Sequence, residues 1–442
     1  MNYIKKLLNS NYFIGFVYLF TVICWYYQKQ NIAILFYLLC AICIIIFDAN
    51  RINIATLIMA GIINYRDTTF SANFPLFLAS FLVIIPFVLY DFFKNGIKFD
   101  IIFKSMFLIF IVSVLSLINV NKETLSDSII GVLQTGAFAL IYLYFVNKRQ
   151  NDDYEYIAKN ALALGIAIAL EFVIYIITYD GNTLGKDIDL GWGISNVIAM
   201  IEMMVIPLII YLYSQNQNRM YLLLSVIIAI VVIALTLSKG AYLALSIISI
   251  PLVIVTYLNM PNRKKFIYDI SYCLVILSFI IYITSNIDLI REGFIEYFSK
   301  MNDRGWFKDQ SRIKIYKIGL ETFLKNPLLG AGSYTGGYYL GLHGFKVTTY
   351  HNYVVQILAT IGLFGFISFC MYLFYVIKKI FTTKHHYNLS IFFVIIAISL
   401  HGLVDNTWFN PIIMVIISIF FSTIISKKSI QNKKSTYNNI NL

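Results

Sequence analysis

Apolar residues gather in continuous stretches along nearly the whole chain, parted by short polar connections. Fourteen such runs lie near 12–27, 32–47, 52–63, 70–90, 101–120, 129–146, 157–179, 194–213, 221–237, 241–257, 267–283, 351–377, 389–404 and 408–425. Most have the length that carries a helix across about 30 Å of hydrocarbon, roughly 17–25 residues. They are unbroken rather than alternating, so they predict helices and exclude the strands of a membrane barrel. The run at 52–63 is short and fits a re-entrant segment, which sets the expectation at about 12–14 spans. Lys5 and Lys6 precede the first run, but no small-residue cleavage site follows it, so it reads as an uncleaved first span.

Composition agrees with this pattern. Of the 442 residues, 59% are hydrophobic and 13% charged, whereas a soluble domain is nearer half apolar and a quarter charged. The fold class expected is an all-α integral membrane protein, with residues 1–442 as one polytopic domain. Cys24, Cys40, Cys43, Cys273 and Cys370 all fall inside apolar runs and read as packing residues, without metal-ligand or disulfide spacing. No internal repeat suggests the inverted halves of a transporter.

The net charge of +12 would suggest nucleic acid if it were clustered for that purpose. Its distribution gives another account. With the N-terminus in the cytoplasm, the cytoplasmic segments collect 18 Lys and Arg, from Lys5 and Lys6 to Lys433 and Lys434. The short outer loops hold only Lys29, Arg66, Lys122, Lys186 and Lys239. This positive-inside bias puts both termini in the cytoplasm, with 427–442 a basic tail there. Nucleic acid is not an expected partner.

One connection stands apart. From about 285 to 350 the chain forms a long loop on the extracytoplasmic side, and loops of that length are uncommon without a reason. Within it, "DQSRIKIYKIGLETFLKNPLLGAG" predicts an amphipathic helix with Asp309 or Ser311 as N-cap and Pro327 as the stop. Ile315, Ile318 and Phe323 alternate with Arg312, Lys314, Lys317 and Glu321, so the helix is expected along the membrane surface. Nine Lys and Arg lie in the loop. They fit either a solvated face beside anionic headgroups or a canopy over an anionic ligand.

Five segments bring polar residues to the outer face. Arg312 begins the loop helix, and His351 with Asn352 opens the run 351–377. Lys239 sits in "LTLSKGAYLAL", Asn196 in "GWGISNVIA", and His401 with Asp405 in "HGLVDNTWFNP". Polar groups at membrane depth are costly and usually functional. A histidine side chain can act as general base or general acid, and His351 is placed for either; the alternative is a helix-mouth histidine bonded to a loop carbonyl. Asn352 suits a cap or a bond to loop backbone. His401 and Asp405 fit either partner orientation and sugar binding or an interfacial cap. Trp306, Tyr334, Tyr338, Tyr339 and Tyr350 suit stacking on sugar rings, but read foremost as an aromatic belt at the headgroups. Glu171 and Glu202, inside spans, read as paired with each other or with Lys159. His343 lies in the loop, and His385 and His386 face the cytoplasm.

These motifs carry a resemblance. Ser311-Arg312, then Asn326 to Gly332 (N-P-L-L-G-A-G), then His351-Asn352 with Gly362 to Gly365 (G-L-F-G) eleven residues on, resembles the O-antigen ligase/polymerase family of membrane glycosyltransferases. "LTLSKGA" is similar to that family's T-x-S-R-G-A element and "SNVIA" to its S-N-x-x-A element. The resemblance covers roughly 190–410. It implies a bacterial cytoplasmic membrane, an extracytoplasmic active site, no metal and no cofactor. The donor it implies is a polyprenyl-pyrophosphate-linked glycan, and the acceptor a second lipid-linked repeat unit (polymerase) or a lipid core (ligase). A flippase and a chain-length regulator would be further partners. Under it, His351 and Arg312 would be catalytic, and Lys239, Asn352, Asn196, His401 and Asp405 would bind pyrophosphate or sugar. Arginine usually stands where this chain has Lys239, so the bidentate fork is absent there.

A polymerase is the expectation, because no ligase element is recognisable in the N-terminal half. A flippase is the rival from another class, but it would spread charges through its spans rather than gather them at one face. A transferase using paired carboxylates in the first outer loop is disfavoured, since that loop reads "QKQN".

Overall fold

The computed structural model describes residues 2–66, 86–94, 96–150, 152–178, 188–215, 220–288, 291–292, 295, 299, 310–383 and 385–425. Its helices are α1 (Asn2–Leu8), α2 (Asn11–Tyr26), α3 (Gln30–Ile46), α4 (Asn53–Ile62), α5 (Ile101–Leu115), α6 (Leu125–Lys148), α7 (Asp153–Thr178) and α8 (Ser195–Gln215). There follow α9 (Met220–Leu235), α10 (Lys239–Asn259), α11 (Arg263–Ser285), α12 (Gln310–Lys325), α13 (Gly336–Gly341), α14 (Tyr353–Phe381), α15 (His386–Gly402) and α16 (Pro411–Ser422). A 3-10 turn, Ser116–Asn119, extends α5. Another helical stretch runs over 86–94.

Thirteen of the fourteen apolar runs coincide with these helices. The run at 70–90 lies mostly outside the described residues. Among the described residues, seven helices are long and apolar enough to cross a membrane, and six further apolar helices have 10–17 residues. No strand occurs among the described residues, and the protein is an all-α integral membrane protein. α4, from the short run, spans ten residues, about 15 Å at 1.5 Å per residue, which is too short to cross.

α8 is the centre of the bundle. Its neighbours are α7, α9, α10 and α15, and they leave Met203, Met204, Val205 and Leu208 with no exposure. α11 is the opposite case: Phe266 is its one buried residue, while Leu274, Val275 and Phe279 are open. Such a surface suits acyl chains and would be costly in water.

The intramembrane carboxyls do not pair as the sequence suggested. Lys159 bonds Glu155 at 2.9 Å, one turn away on its own helix. Glu171 instead accepts from Trp192 Nε1 at 2.7 Å, and Glu202 has no hydrogen-bond partner among the described residues. At the end of the bundle that holds the 148–153 and 382–386 connections, cations do find anions. Arg51 grips Asp91 with two bonds of 3.0 and 2.9 Å, and Lys379 reaches Asp100 at 3.2 Å.

Candidate functional site

The segment 326–332 is locked into a break in α14. Gly362 sits there at φ 66 and ψ −165, so the helix stops and restarts within one apolar run. A break strands the carbonyls before it and the N–H groups after it, and buried backbone groups need partners. The "NPLLGAG" strap supplies them. Ala331 N donates to Ala359 O and Gly332 N to Thr360 O, both at 2.9 Å. In return Leu363 N donates to Pro327 O at 2.9 Å and Phe364 N to Leu328 O at 3.1 Å. A Cβ on Gly362 would lie 2.5 Å from Gly330 N, and one on Gly330 would lie 2.3 Å from Thr360 C. Two glycine motifs thus form one joint. The joint fixes α12, which ends two residues before Pro327, as the stop signal predicted. At the start, Ser311 lies inside the helix and is not its N-cap, while Asp309, the other expected cap, lies outside the described residues.

α12 rests on α14 and α13, with Ile315 and Ile318 in a small core with Leu340, Tyr350 and Ala359. Its apolar face therefore has a protein partner. Tyr350 is fully buried in that core, so it is no part of an interfacial belt. Tyr334, Tyr338 and Tyr339 lie beyond α12, and Trp306 lies outside the described residues.

The turn after α15 is where the predicted residues meet. Asp405 accepts from His351 Nδ1 at 3.2 Å on one oxygen and from Asn196 Nδ2 at 2.7 Å on the other. Its own neighbour adds a third bond, Asn406 N to Oδ1 at 2.7 Å. Arg312 donates to Val404 O at 2.8 Å, and Asn352 Nδ2 to Leu403 O at 2.9 Å. Three segments hold three successive residues of one turn. α10 arrives from a fourth direction. Gly240 lies so close that a Cβ there would be 2.2 Å from the His401 ring and 2.5 Å from Val404. Ser238, the N-cap of α10, sits 3.3 Å from His401 Nε2. Lys239 is the first residue of α10 and is exposed beside this turn.

His351 precedes α14 rather than beginning it. Its φ is 49, left-handed and uncommon for a residue with a side chain. Such strain persists where neighbours hold it, and here Tyr316 OH donates to His351 O at 3.1 Å. Asn352 is the N-cap: its Oδ1 accepts from Val354 N at 2.9 Å and Val355 N at 3.1 Å. With Nδ1 donating to Asp405, the ring's proton-accepting nitrogen is Nε2.

Burial would raise the Asp405 carboxyl, but the His351 ring, as donor and as nearby charge, together with the nearby His401 and the Asn406 N–H, outweighs it and holds the group down at about 2. Asp405 is therefore a carboxylate at any ordinary pH.

The seven candidates thus occupy one end of the bundle. That Asp405 orients a partner was among the expectations, but that its partners are His351 and Asn196 was not legible in the chain. His351 and Asp405 are 54 residues apart, and Asn196 and Asp405 are 209 apart. The sole hint was that each sits at a span mouth. His343 bonds Tyr339 O at 2.9 Å in α13 and takes no part. His386 bonds Ser214 at 2.7 Å, away from this turn.

In comparison with known families, residues 224–370 fit the family described as O-antigen ligase. That interval is about a third of the chain. It contains Lys239, Arg312, His351, Asn352 and both halves of the glycine joint, while Asn196, His401 and Asp405 lie outside it. No curated protein matches the chain.

Proposed function

We propose, on the premise that the chain belongs to the O-antigen ligase family through residues 224–370, that it is a polymerase of polyprenyl-pyrophosphate-linked oligosaccharide repeat units. The reaction lies at the outer face of a bacterial cytoplasmic membrane, with both termini inside. The observation that carries it is the His351–Asp405 pair, with Arg312 of α12 bonded to the same turn. The start of α10, where Lys239 sits, packs against that turn through Ser238 and Gly240.

The chemistry follows from that set. An acceptor hydroxyl gives its proton to His351 Nε2 as its oxygen bonds the anomeric carbon of the donor. The bond from that carbon to phosphate breaks, and its electron pair leaves with the pyrophosphate. Asp405 fixes the ring tautomer and stabilises the imidazolium that forms. Arg312 and Lys239 stabilise charge growing on the leaving group. Lys239 adds to a helix N-terminus, the end whose N–H groups already favour anions. None of these steps calls for a metal.

Ligation of the glycan to a lipid core uses the same groups and remains the second reading, because the family description names a ligase. The test is a deletion strain. A polymerase deletion leaves single repeat units on the acceptor and no long chains, and a ligase deletion leaves polymer on the polyprenyl carrier. Loss of all surface repeat units with the flippase intact overturns the polymerase reading. Orientation is tested with an impermeant thiol reagent on Lys346→Cys and Lys264→Cys in intact cells. Labelling at 264 but not at 346 puts the site on the wrong side.

A further inference from the structure

Beside the His351–Asp405 pair lies a narrow slot between α6, the strap and the turn after α15. Gln134, Tyr334, Thr348, Ile361, Asn406 and Phe409 are among its walls. Its open volume is about 30 Å³, room for roughly two water-sized groups, since one needs about 10–15 Å³. Thr348 and Tyr334 stand exposed at its mouth.

Two buried polar atoms of this slot have no hydrogen-bond partner among the described residues: Gln134 Nε2 and Asn406 Oδ1. Tyr334 OH donates to Gln134 Oε1, which assigns the amide and leaves its N–H₂ as the unmatched donor. Asn406 Oδ1 is the unmatched acceptor. Native interiors rarely leave such groups unpaired, and each calls for an account. The Tyr334 backbone is also left-handed, at φ 60, and its ring lies against Gly131, where a Cβ would come within 2.5 Å. A strained residue thus holds an aromatic face at the mouth of a slot with one spare donor and one spare acceptor.

We infer that this slot is a specificity pocket for the acetamido arm of an N-acetylated sugar. A secondary amide offers one carbonyl oxygen for Gln134 N–H and one N–H for Asn406 Oδ1, and its methyl would meet Ile361 and Phe409. The volume admits such an arm and excludes a whole sugar ring, which instead lies at the mouth against Tyr334. A plain hydroxyl can bond both groups, since it donates and accepts, but it fills less of the slot and leaves Ile361 and Phe409 without the methyl, so the selectivity lies in shape and apolar contact. The walls join the reactive pair directly: Asn406 N bonds Asp405, and Thr348 lies three residues before His351. The sugar selected is therefore the acceptor whose hydroxyl reaches His351, and this assignment rests on the transferase reading.

The test uses purified full-length protein in lipid nanodiscs, with methyl N-acetyl-β-glucosaminide and methyl β-glucoside as probes in saturation-transfer NMR. The acetamido methyl of the first should receive saturation, and the glucoside should receive little. Gln134→Glu keeps the shape and the acceptor for Tyr334 but removes the donor. It should weaken the acetamido signal roughly 2–10-fold, as should Asn406→Leu. Equal signals from the two sugars on the unmodified protein, which needs no variant to fold, overturn the pocket. So does an acetamido signal unchanged in a monodisperse Gln134→Glu protein. Transfer from a lipid-linked donor is assayed separately on the same preparation. Absence of transfer with a selective acetamido signal sinks the transferase reading and leaves the pocket, and the reverse sinks the pocket alone.

Discussion

Asp405 accepts from His351 Nδ1 at 3.2 Å and from Asn196 Nδ2 at 2.7 Å, one carboxylate oxygen for each. The carboxylate is thus clamped between a loop histidine and a bundle helix. His351 is held by a bond to its side chain and another to its carbonyl, which compensates for its left-handed backbone. A base prepared in this way loses little freedom when it acts.

From this pair comes the first expectation. His351→Ala should lower glycan transfer by about 10²–10⁴, the usual contribution of a placed general base. Asp405→Asn should lower it comparably, because an amide can present N–H to the ring and select the wrong tautomer. Asn196→Ala should cost less, since it removes one of three bonds to Asp405. Transfer from a lipid-linked donor, normalised to membrane protein level, decides the ranking. Near-normal chain length from His351→Ala would reduce this histidine to a structural role.

The depressed carboxyl of Asp405 makes a claim about stability against pH. Its folded value of about 2 lies below the ordinary aspartate value of about 3.9. The stability it lends is then fully present above the ordinary value and is lost as pH falls toward the folded one. The gap in thermal midpoint between unmodified protein and Asp405→Asn should be flat from neutral pH down to about 5. Below about 4 it should narrow. A gap that widened on acidification would contradict the pairing.

Much of the bundle was legible because membrane helices announce themselves by length and continuity. Thirteen runs became helices for that reason. The break at Gly362 was not legible, since periodicity reads straight through it: the apolar run continues while the backbone does not. Only the strap's carbonyls and N–H groups explain why two glycine motifs lie on either side of His351. Asn352 was legible as a cap, because the bond it makes is local. The partners of Glu171 and Asp405 were not, because they lie on distant segments.

The joint between strap and α14 gives a stability prediction. Gly362→Ala puts a Cβ 2.5 Å from backbone atoms of the strap at a φ that itself costs about 1–3 kcal/mol for other residues. Gly330→Ala meets the same obstacle from the other side. Each should lower the thermal midpoint and the yield of folded protein. Gly341→Ala, where nothing lies within 4 Å, should not. If Gly362→Ala were as stable as Gly341→Ala, the interlock would be dispensable.

The two cations should separate by the same logic of contacts. Arg312 is half-buried and bonds Val404 O, the residue before Asp405, so it serves the turn as well as any pyrophosphate. Arg312→Ala should therefore lower the thermal midpoint and reduce transfer by roughly 10²–10³, the cost of losing a preorganised donor. Arg312→Lys keeps a charge but loses the planar fork, and should recover only part of the rate. Lys239 is exposed at the start of α10. Lys239→Ala should weaken transfer, and Lys239→Arg should retain it. Transfer is measured with chelator present throughout. An Arg312→Ala protein that loses stability but keeps its rate would mark this arginine as a brace for the turn, and the pyrophosphate would need another partner.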